Sequence, residues 1–262
     1  MKKLLTIALA IALVAVSALA LAETVVVGAT LVPHAEILEA AKPLLAEKGV
    51  ELEIVEFSDY VQPNLQLDAG DLDANYFQHI PYLNNFNAEN GTHLVILSEV
   101  HLEPMGIYVN PAKDIAIDAV PDGAVVVVPN DTTNELRALE VLATYGLIVL
   151  PEGENLTALD ITGEYNPKNL EIVEVEAAQV PRTLADADLA VINSNYALEA
   201  GEDVVGTPVA LESTDNNPYN NVVAIREGDD REVLKALAEV LASDEIAAFI
   251  AETYGTAVIP VK

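Results

Sequence analysis

Short apolar runs alternate with longer amphipathic segments along this chain, and the alternation predicts its secondary structure. The β-branched run at residues 24–28 is typical of a buried strand. Pro33 opens a segment with apolar residues at helical spacing, and Gly49 closes it. Residues 50–57 then alternate apolar and acidic side chains, which predicts a second strand. A strand, a helix and a strand at this spacing predict a parallel βαβ unit.

The same pattern begins again near the middle of the chain. Residues 124–128 predict another buried strand, and Thr132 or Thr133 is a candidate cap for the helix that follows. A further buried strand is expected at 189–192, and a last helix at about 229–254. The repeated βα pattern therefore predicts an α/β protein with two lobes.

The boundary between the lobes is expected in a stretch that contains prolines and follows two more predicted strands. Those strands are at 93–97 and 106–109. The first lobe is expected to comprise residues 23–108 together with about 220–262, and the second lobe about 109–219.

The amino terminus has the pattern of an export signal. Two lysines follow Met1, residues 4–16 are almost entirely apolar, and Ala20-Leu21-Ala22 places small residues where a signal peptidase reads them. We expect residues 1–22 to be a signal peptide that is removed before Glu23. The apolar run is short for a membrane span.

Composition and charge exclude several classes of function. The chain has 42 acidic and 12 basic residues and a net charge of −30, so it repels nucleic-acid phosphates and anionic lipid surfaces. It has no cysteine, which excludes disulfides and thiolate chemistry. It contains none of the phosphate-loop, dinucleotide-binding, nucleophile-elbow or zinc-protease motifs. We therefore expect neither an enzyme nor a bound cofactor.

Aromatic residues are concentrated in one short region. The chain has nine tyrosines and four phenylalanines, and six of these lie between Phe57 and Phe86. Polar residues are interleaved with them: Asn64, Asn75, Gln78 and His79. Aromatic faces with a few polar groups suit a small-molecule pocket. An aromatic mini-core beneath a loop explains the pattern equally well.

Arg137 and several asparagines are further candidates for ligand contacts. Arg137 follows a cap-rich loop at the carboxyl end of a predicted strand, where open α/β sheets bind ligands. Its guanidinium is suited to a carboxylate, although an ion pair with Asp131 or Glu135 is the alternative. Four asparagines lie at predicted turns: Asn193, Asn195, Asn220 and Asn221. Their amides offer a donor and an acceptor to an amino acid.

Six segments of the sequence resemble the NlpA lipoprotein family, the methionine-binding components of methionine ABC importers. They are PHAEI at 33–37, FSDYVQPN at 57–64, DANYFQHIPYL at 73–83, the run from Pro129-Asn130-Asp131 to Arg137-Ala138-Leu139, VINSNYA at 191–197 and NPYNN at 217–221. These segments occur in the family's order over nearly the whole chain after residue 22.

The resemblance implies a two-lobed, type II-like periplasmic-binding-protein fold with the ligand in the cleft between the lobes. It implies capture of methionine, or of a relative such as D-methionine or a methionine peptide, for delivery to the membrane permease subunits of an ABC importer. The implied ligand contacts are Tyr60, Phe77, His79 and Tyr82 around the side chain, Arg137 at the carboxylate, and Asn221 with Asn193 or Asn195 at the amino acid backbone. The motif does not decide between Asn193 and Asn195.

The chain departs from the family at the signal cleavage site, where the family's lipobox cysteine is absent. We therefore expect a monomer that is soluble in the periplasm and carries no lipid anchor. Two alternatives stay open. One is a receptor for zinc or manganese that uses His34, His79 or His101 with carboxylates. The other is an enzyme on the same fold.

Overall fold

The computed structural model describes residues 22–261, so the predicted signal peptide lies outside the described residues except for Ala22. The strands, in chain order, are β1 (Glu23–Thr30), β2 (Val50–Phe57), β3 (Ala74–His79), β4 (Leu94–Leu102), β5 (Gly106–Val109), β6 (Val125–Pro129), β7 (Glu171–Val175), β8 (Leu189–Ile192), β9 (Ala210–Leu211), β10 (Asn220–Arg226) and β11 (Ile259–Pro260). The α-helices are α1 (Glu36–Glu47), α2 (Gln62–Ala69), α3 (Ile80–Asn90), α4 (Thr132–Thr144), α5 (Val180–Thr183), α6 (Ser194–Ala200), α7 (Glu202–Val205), α8 (Glu232–Leu241) and α9 (Asp244–Tyr254).

The first lobe is built on a six-stranded sheet with the order β11-β4-β10-β3-β1-β2. Strand β1 runs parallel to both β2 and β3, as the alternation of strands and helices predicts. Strand β10 comes from the last fifth of the sequence and lies antiparallel between β3 and β4. The C-terminal part of the chain therefore completes the first sheet.

The second lobe is built on a five-stranded sheet with the order β7-β6-β8-β5-β9. Strand β6 is parallel to β7 and β8, whereas β5 is antiparallel to β8 and β9. This pairing corrects the expected end of the first lobe at residue 108, because that residue lies inside β5. The chain crosses between β4 and β5, and it returns between β9 and β10.

Two local readings of the sequence also change in the structure. The predicted helix at 229–254 is two helices, because Ser243 caps α9 with its hydroxyl oxygen 3.3 Å from the backbone nitrogen of Ile246. Strand β1 continues past Gly28 instead of ending there. A Cβ at Gly28 would lie 2.6 Å from a methyl carbon of Leu72, so the glycine allows close packing and does not terminate the strand.

Apolar faces of the helices cover the first sheet and form its core. Helix α1 contributes Ile37 and Leu38, and helix α8 contributes Leu234 and Leu237, all of them buried against the sheet. No helix among residues 22–261 is long and apolar enough to cross a lipid bilayer. The buried cores of the two sheets are separate clusters of residues.

Candidate functional site

A cavity lies at the junction between the two lobes and receives side chains from both. The space open to water inside it is about 20 Å³, enough for about one water molecule. Its lining comprises Tyr60, Phe77, Gln78, His79, Tyr82, Glu103, Asn134, Arg137, Asn193, Ser194, Asn195 and Asn221. The structure therefore brings all eight site residues expected from the sequence to one cavity.

Three aromatic rings form one part of the cavity lining. The ring centroid of Tyr60 lies 5.9 Å from that of Phe77 and 5.8 Å from that of Tyr82. The centroids of Phe77 and Tyr82 are 6.1 Å apart. Phe77 lies on β3 and Tyr82 on α3, so the strand-to-helix turn after residue 79 carries both to the same place. The aromatic run is thus both a small cluster and part of the cavity lining.

Tyr60 also joins the two lobes. Its hydroxyl donates to the Asn195 Oδ1 atom at 2.6 Å, and its ring stacks on Tyr196 with centroids 4.9 Å apart. The Tyr82 hydroxyl donates to the backbone oxygen of Tyr60 at 2.9 Å and fixes the loop that carries it. These bonds hold the lobes together over the cavity.

His79 connects the end of β3 to the second lobe. Its Nδ1 atom accepts from the backbone N–H of Tyr82 at 3.1 Å, so the ring proton lies on Nε2. Nε2 then donates to the Asn134 Oδ1 atom at 3.1 Å. Burial lowers the pKa of His79 to about 3, with the charge of Arg137 acting in the same direction, and the ring is neutral near pH 7.

Arg137 faces the cavity, but its protein partner is neither Asp131 nor Glu135. Its Nε and Nη2 atoms donate to the two carboxylate oxygens of Glu212 at 2.9 and 2.6 Å. Nη2 also donates to the backbone oxygen of Glu103 at 2.7 Å. Among the residues that the structure describes, no acceptor bonds Nη1. One edge of the guanidinium is therefore held by the protein, and the other has no protein acceptor among these residues.

The two neighbours that we considered as ion-pair partners of Arg137 have other roles. Asp131, rather than Thr132 or Thr133, caps α4 by accepting from the backbone N–H of Asn134 at 3.0 Å. Glu135 accepts from the backbone N–H of Ala158 at 2.7 Å. Local spacing suggested ion pairs of Arg137 with Asp131 or Glu135. The guanidinium instead binds the carboxylate of Glu212, 75 residues away in sequence.

Asn193 and Asn195 each leave one buried amide atom without a protein partner. The Nδ2 atom of Asn193 donates to Asn134 at 2.7 Å, which leaves Oδ1 unpaired. The Oδ1 atom of Asn195 accepts from Tyr60, which leaves Nδ2 unpaired. Buried polar atoms are seldom left unpaired. The cavity thus offers an acceptor on Asn193 and a donor on Asn195, so both asparagines are candidates for ligand contact.

Three lining residues were not anticipated from the sequence, namely Glu103, Asn134 and Ser194, whereas Gln78 belongs to the polar residues interleaved with the aromatic run. Glu103 is 5% exposed although its carboxylate is ionisable. It lies in the segment between β4 and β5. The sequence feature that could have identified it is an acidic residue between two apolar strand segments. Asn134 belongs to the cap-rich loop that precedes Arg137.

Two histidines proposed for the metal-binding alternative do meet a carboxylate. The ligand atoms of His34, His101 and Glu103 lie within 4.8 Å of one another, and all three residues are buried, while His79 is outside this group. The His101 Nε2 atom is 2.7 Å from the Glu103 Oε1 atom. Two ligands of a tetrahedral zinc ion with bonds of 2.0–2.1 Å are roughly 3.4 Å apart. The separation between His101 and Glu103 is that of a hydrogen bond, whereas the His34 Nε2 atom lies 3.4 Å from the same oxygen, the spacing of two metal ligands.

Two α/β lobes that are joined by two crossings around a cavity are typical of the substrate-binding proteins of transport systems, although some enzymes share this fold. The chain belongs to the NlpA lipoprotein family, whose model matches residues 25–262. It is 42% identical to the methionine-binding lipoprotein MetQ of Bacillus subtilis over 245 residues, which cover 91% of this chain and 88% of that protein. These matches confirm the family that the sequence motifs indicate.

Solved structures confirm the fold. A nutrient-binding protein from Burkholderia cenocepacia, bound to methionine, superimposes with a TM-score of 0.85 and is 40% identical, covering 91% of this chain and all of that one. A periplasmic substrate-binding protein of an ABC transporter from Coxiella burnetii has a TM-score of 0.83 and 40% identity, covering 90% of this chain and all of that one.

Proposed function

We propose that this protein captures methionine in the cavity between its lobes and delivers it to the permease subunits of an ABC importer. The observation that carries the proposal is the combination, in one closed cavity, of three aromatic rings with unpaired buried amide atoms. The rings suit an apolar side chain and the amide atoms suit a zwitterionic backbone, and the lobes have to separate to admit a ligand because the space between them is only about 20 Å³. The methionine named for the relatives fits this chemistry.

The polar groups suit the two charges of an amino acid. In the proposed complex, Arg137 Nη1 and the unpaired Nδ2 atom of Asn195 donate to the ligand carboxylate. The unpaired Oδ1 atom of Asn193 accepts from the ligand ammonium group. The Asn221 Oδ1 atom is held by His34 at 3.1 Å, which leaves its amide nitrogen as a donor at the cavity.

The aromatic rings suit the thioether. Burial of a methionine side chain contributes about 1.5–3 kcal/mol, and contact between its sulfur and aromatic rings adds roughly 0.3–1.5 kcal/mol. Tyr60, Phe77 and Tyr82 supply these rings. An aspartate or glutamate ligand would place its side-chain charge against apolar walls at a cost in free energy.

We infer that the protein binds its ligand without transforming it and acts as a monomer outside the cytoplasmic membrane. The relatives named above are binding proteins, and residues 1–22 have the pattern of an export signal. A lipoprotein carries its acyl chains on a cysteine, and this sequence has none. The proposed mature protein therefore begins at Glu23 without a lipid.

The test begins with mass spectrometry of small molecules released when the purified protein is denatured. Calorimetry then measures binding of L-methionine, D-methionine, methionine dipeptides, alanine and glutamate to protein that has been stripped of ligand. We expect methionine, or a methionine peptide, to be retained and to bind at least about tenfold more tightly than alanine, a difference of about 1.4 kcal/mol. Equal affinity for methionine and alanine would show that the rings do not contact the ligand.

A further inference from the structure

A second cavity lies beside the connections between the lobes. The lobes are connected at residues 103–105, the first crossing, and at residues 212–219, the second crossing. The space open to water inside the second cavity is about 290 Å³, and most of its lining is apolar. We call it the hinge cavity, and we call the proposed methionine site the ligand cavity. The proposed contacts with methionine make no use of the hinge cavity.

The first crossing and helix α6 form a wall between the two cavities. Glu103 lines the ligand cavity, whereas the next residue, Pro104, lines the hinge cavity. Ser194, at the start of α6, lines both cavities, and its hydroxyl donates to the backbone oxygen of Pro104. The two cavities therefore lie on opposite sides of a covalent connection between the lobes.

Both lobes contribute to the lining of the hinge cavity. Thr256 and Ala257 precede β11 of the first sheet, and Ala257 packs against the core of the first lobe. Val205, on α7, belongs to a core of the second lobe, and Leu211 lies on β9 of the second sheet. A change in the angle between the lobes therefore changes the volume of the hinge cavity.

The two cavities respond in opposite senses to a rotation at the crossings. A rotation that separates the walls on one side of a connection brings together the walls on its other side. In this structure the ligand cavity has about 20 Å³ open to water and the hinge cavity about 290 Å³. Hydrogen bonds between the lobes, from Tyr60 to Asn195 at 2.6 Å and from His79 to Asn134 at 3.1 Å, hold the ligand cavity closed. The structure is thus closed at the ligand cavity and open at the hinge cavity.

We propose that the hinge cavity sets the balance between the open and closed forms of the protein, and thereby its affinity for ligand. When the lobes separate to admit a ligand, Val205 and Leu211 approach Thr256 and Ala257. The apolar surface that then loses contact with water stabilises the open form and opposes the hydrogen bonds of the closed form. A ligand held by the closed form binds more weakly as the open form becomes more stable. The inference rests on the proposed capture of methionine between the two lobes.

The test fills the hinge cavity with the substitution Thr256→Phe. Thr256 is exposed, and it lines the hinge cavity but not the ligand cavity. A larger side chain there has room in the closed form and obstructs the approach of the walls in the open form. In calorimetry the variant should bind L-methionine at least about fivefold more tightly than wild type, the lower end of typical coupling between two sites. Thr256→Leu should give a smaller increase.

The matched control is Thr253→Phe, because Thr253 is an exposed threonine on α9 outside the lining of the hinge cavity. It should bind L-methionine as wild type does. X-ray scattering from each protein, after removal of ligand, reports the angle between the lobes independently of affinity. Thr256→Phe should then have a smaller radius of gyration than wild type and the control, close to that of wild type with methionine.

Two results would overturn the inference: unchanged or weaker binding of methionine by Thr256→Phe, or a radius of gyration equal to that of wild type. If Thr256→Phe does not fold, Thr256→Leu decides by the same two measurements. Failure of wild type to bind methionine would overturn the proposed function instead. The scattering comparison without ligand would still decide whether the hinge cavity controls the angle between the lobes.

Discussion

Replacement of Arg137 with alanine should reduce both the stability of the fold and the affinity for ligand, because this side chain connects the two crossings and faces the cavity. It binds the Glu212 carboxylate in the second crossing and the Glu103 backbone oxygen in the first. Its guanidinium carbon also lies 4.2 Å from the centre of the Tyr219 ring. Alanine removes all three contacts and leaves Glu212, whose side chain is 12% exposed, without its partner.

The expected magnitude follows from these contacts. Removal of one member of a buried ion pair costs about 3–5 kcal/mol of stability. For a chain of this size that loss corresponds to a fall in Tm of roughly 6–20 °C. If Nη1 also holds the ligand carboxylate, the variant should lose a further 2–5 kcal/mol or so of binding free energy. Arg137→Lys should rescue only part of either loss, since an ammonium group does not present two parallel donors.

Two additional variants separate stability from binding. Glu212→Gln removes the ion pair and keeps the guanidinium, so it should lower Tm while weakening methionine less than Arg137→Ala does. Arg182→Ala is the control, because Arg182 is exposed and has no ion pair among the described residues. Thermal unfolding without ligand and calorimetry with methionine give the two readouts. Binding by Arg137→Ala within about threefold of wild type, well under 1 kcal/mol, would refute the carboxylate role.

Three other predictions concern the aromatic wall, the buried histidine and the amino terminus. Phe77→Ala should weaken methionine strongly and alanine little in competition binding, because a small ligand does not reach the ring; equal effects on both would contradict this. Burial lowers the pKa of His79 to about 3, below the unfolded value near 6.5, so its neutral ring stabilises the fold above pH 6.5 and that contribution is lost as the pH falls. Between pH 7 and 5, the free energy of unfolding of wild type in urea should therefore fall by about 2 kcal/mol more than that of His79→Asn. If the free energies of the two proteins fall in parallel with pH, His79 is not a buried neutral ring. The intact mass of exported protein should match a chain that starts at Glu23, whereas an added acyl mass or retained residues 1–22 would exclude the proposed processing.

Periodicity and local composition predicted much of the fold from the sequence alone. Strand β2 has the bounds that its alternation of apolar and acidic residues indicates, because the side-chain period of a strand is a local property. The aromatic run around Phe77 and His79 lies at the cavity, a position that composition left open and the family resemblance implied, since a strand followed at once by a helix carries its last residues to one edge of the sheet. The split between α8 and α9 had a local signal in Ser243 that the apolar pattern obscured.

Only the tertiary structure decided which distant groups meet. The sequence placed Arg137 beside Asp131 and Glu135, but the guanidinium reaches Glu212 because β9 ends next to the first crossing and brings that carboxylate with it. Likewise, β5 joins the second sheet through its pairing with β8, which no local pattern specifies. Glu103 meets His34 and His101, which come from two different strand ends. Hydrogen bonds and ion pairs of long sequence separation depend on how the sheets are connected, and that information is absent from any single segment of the chain.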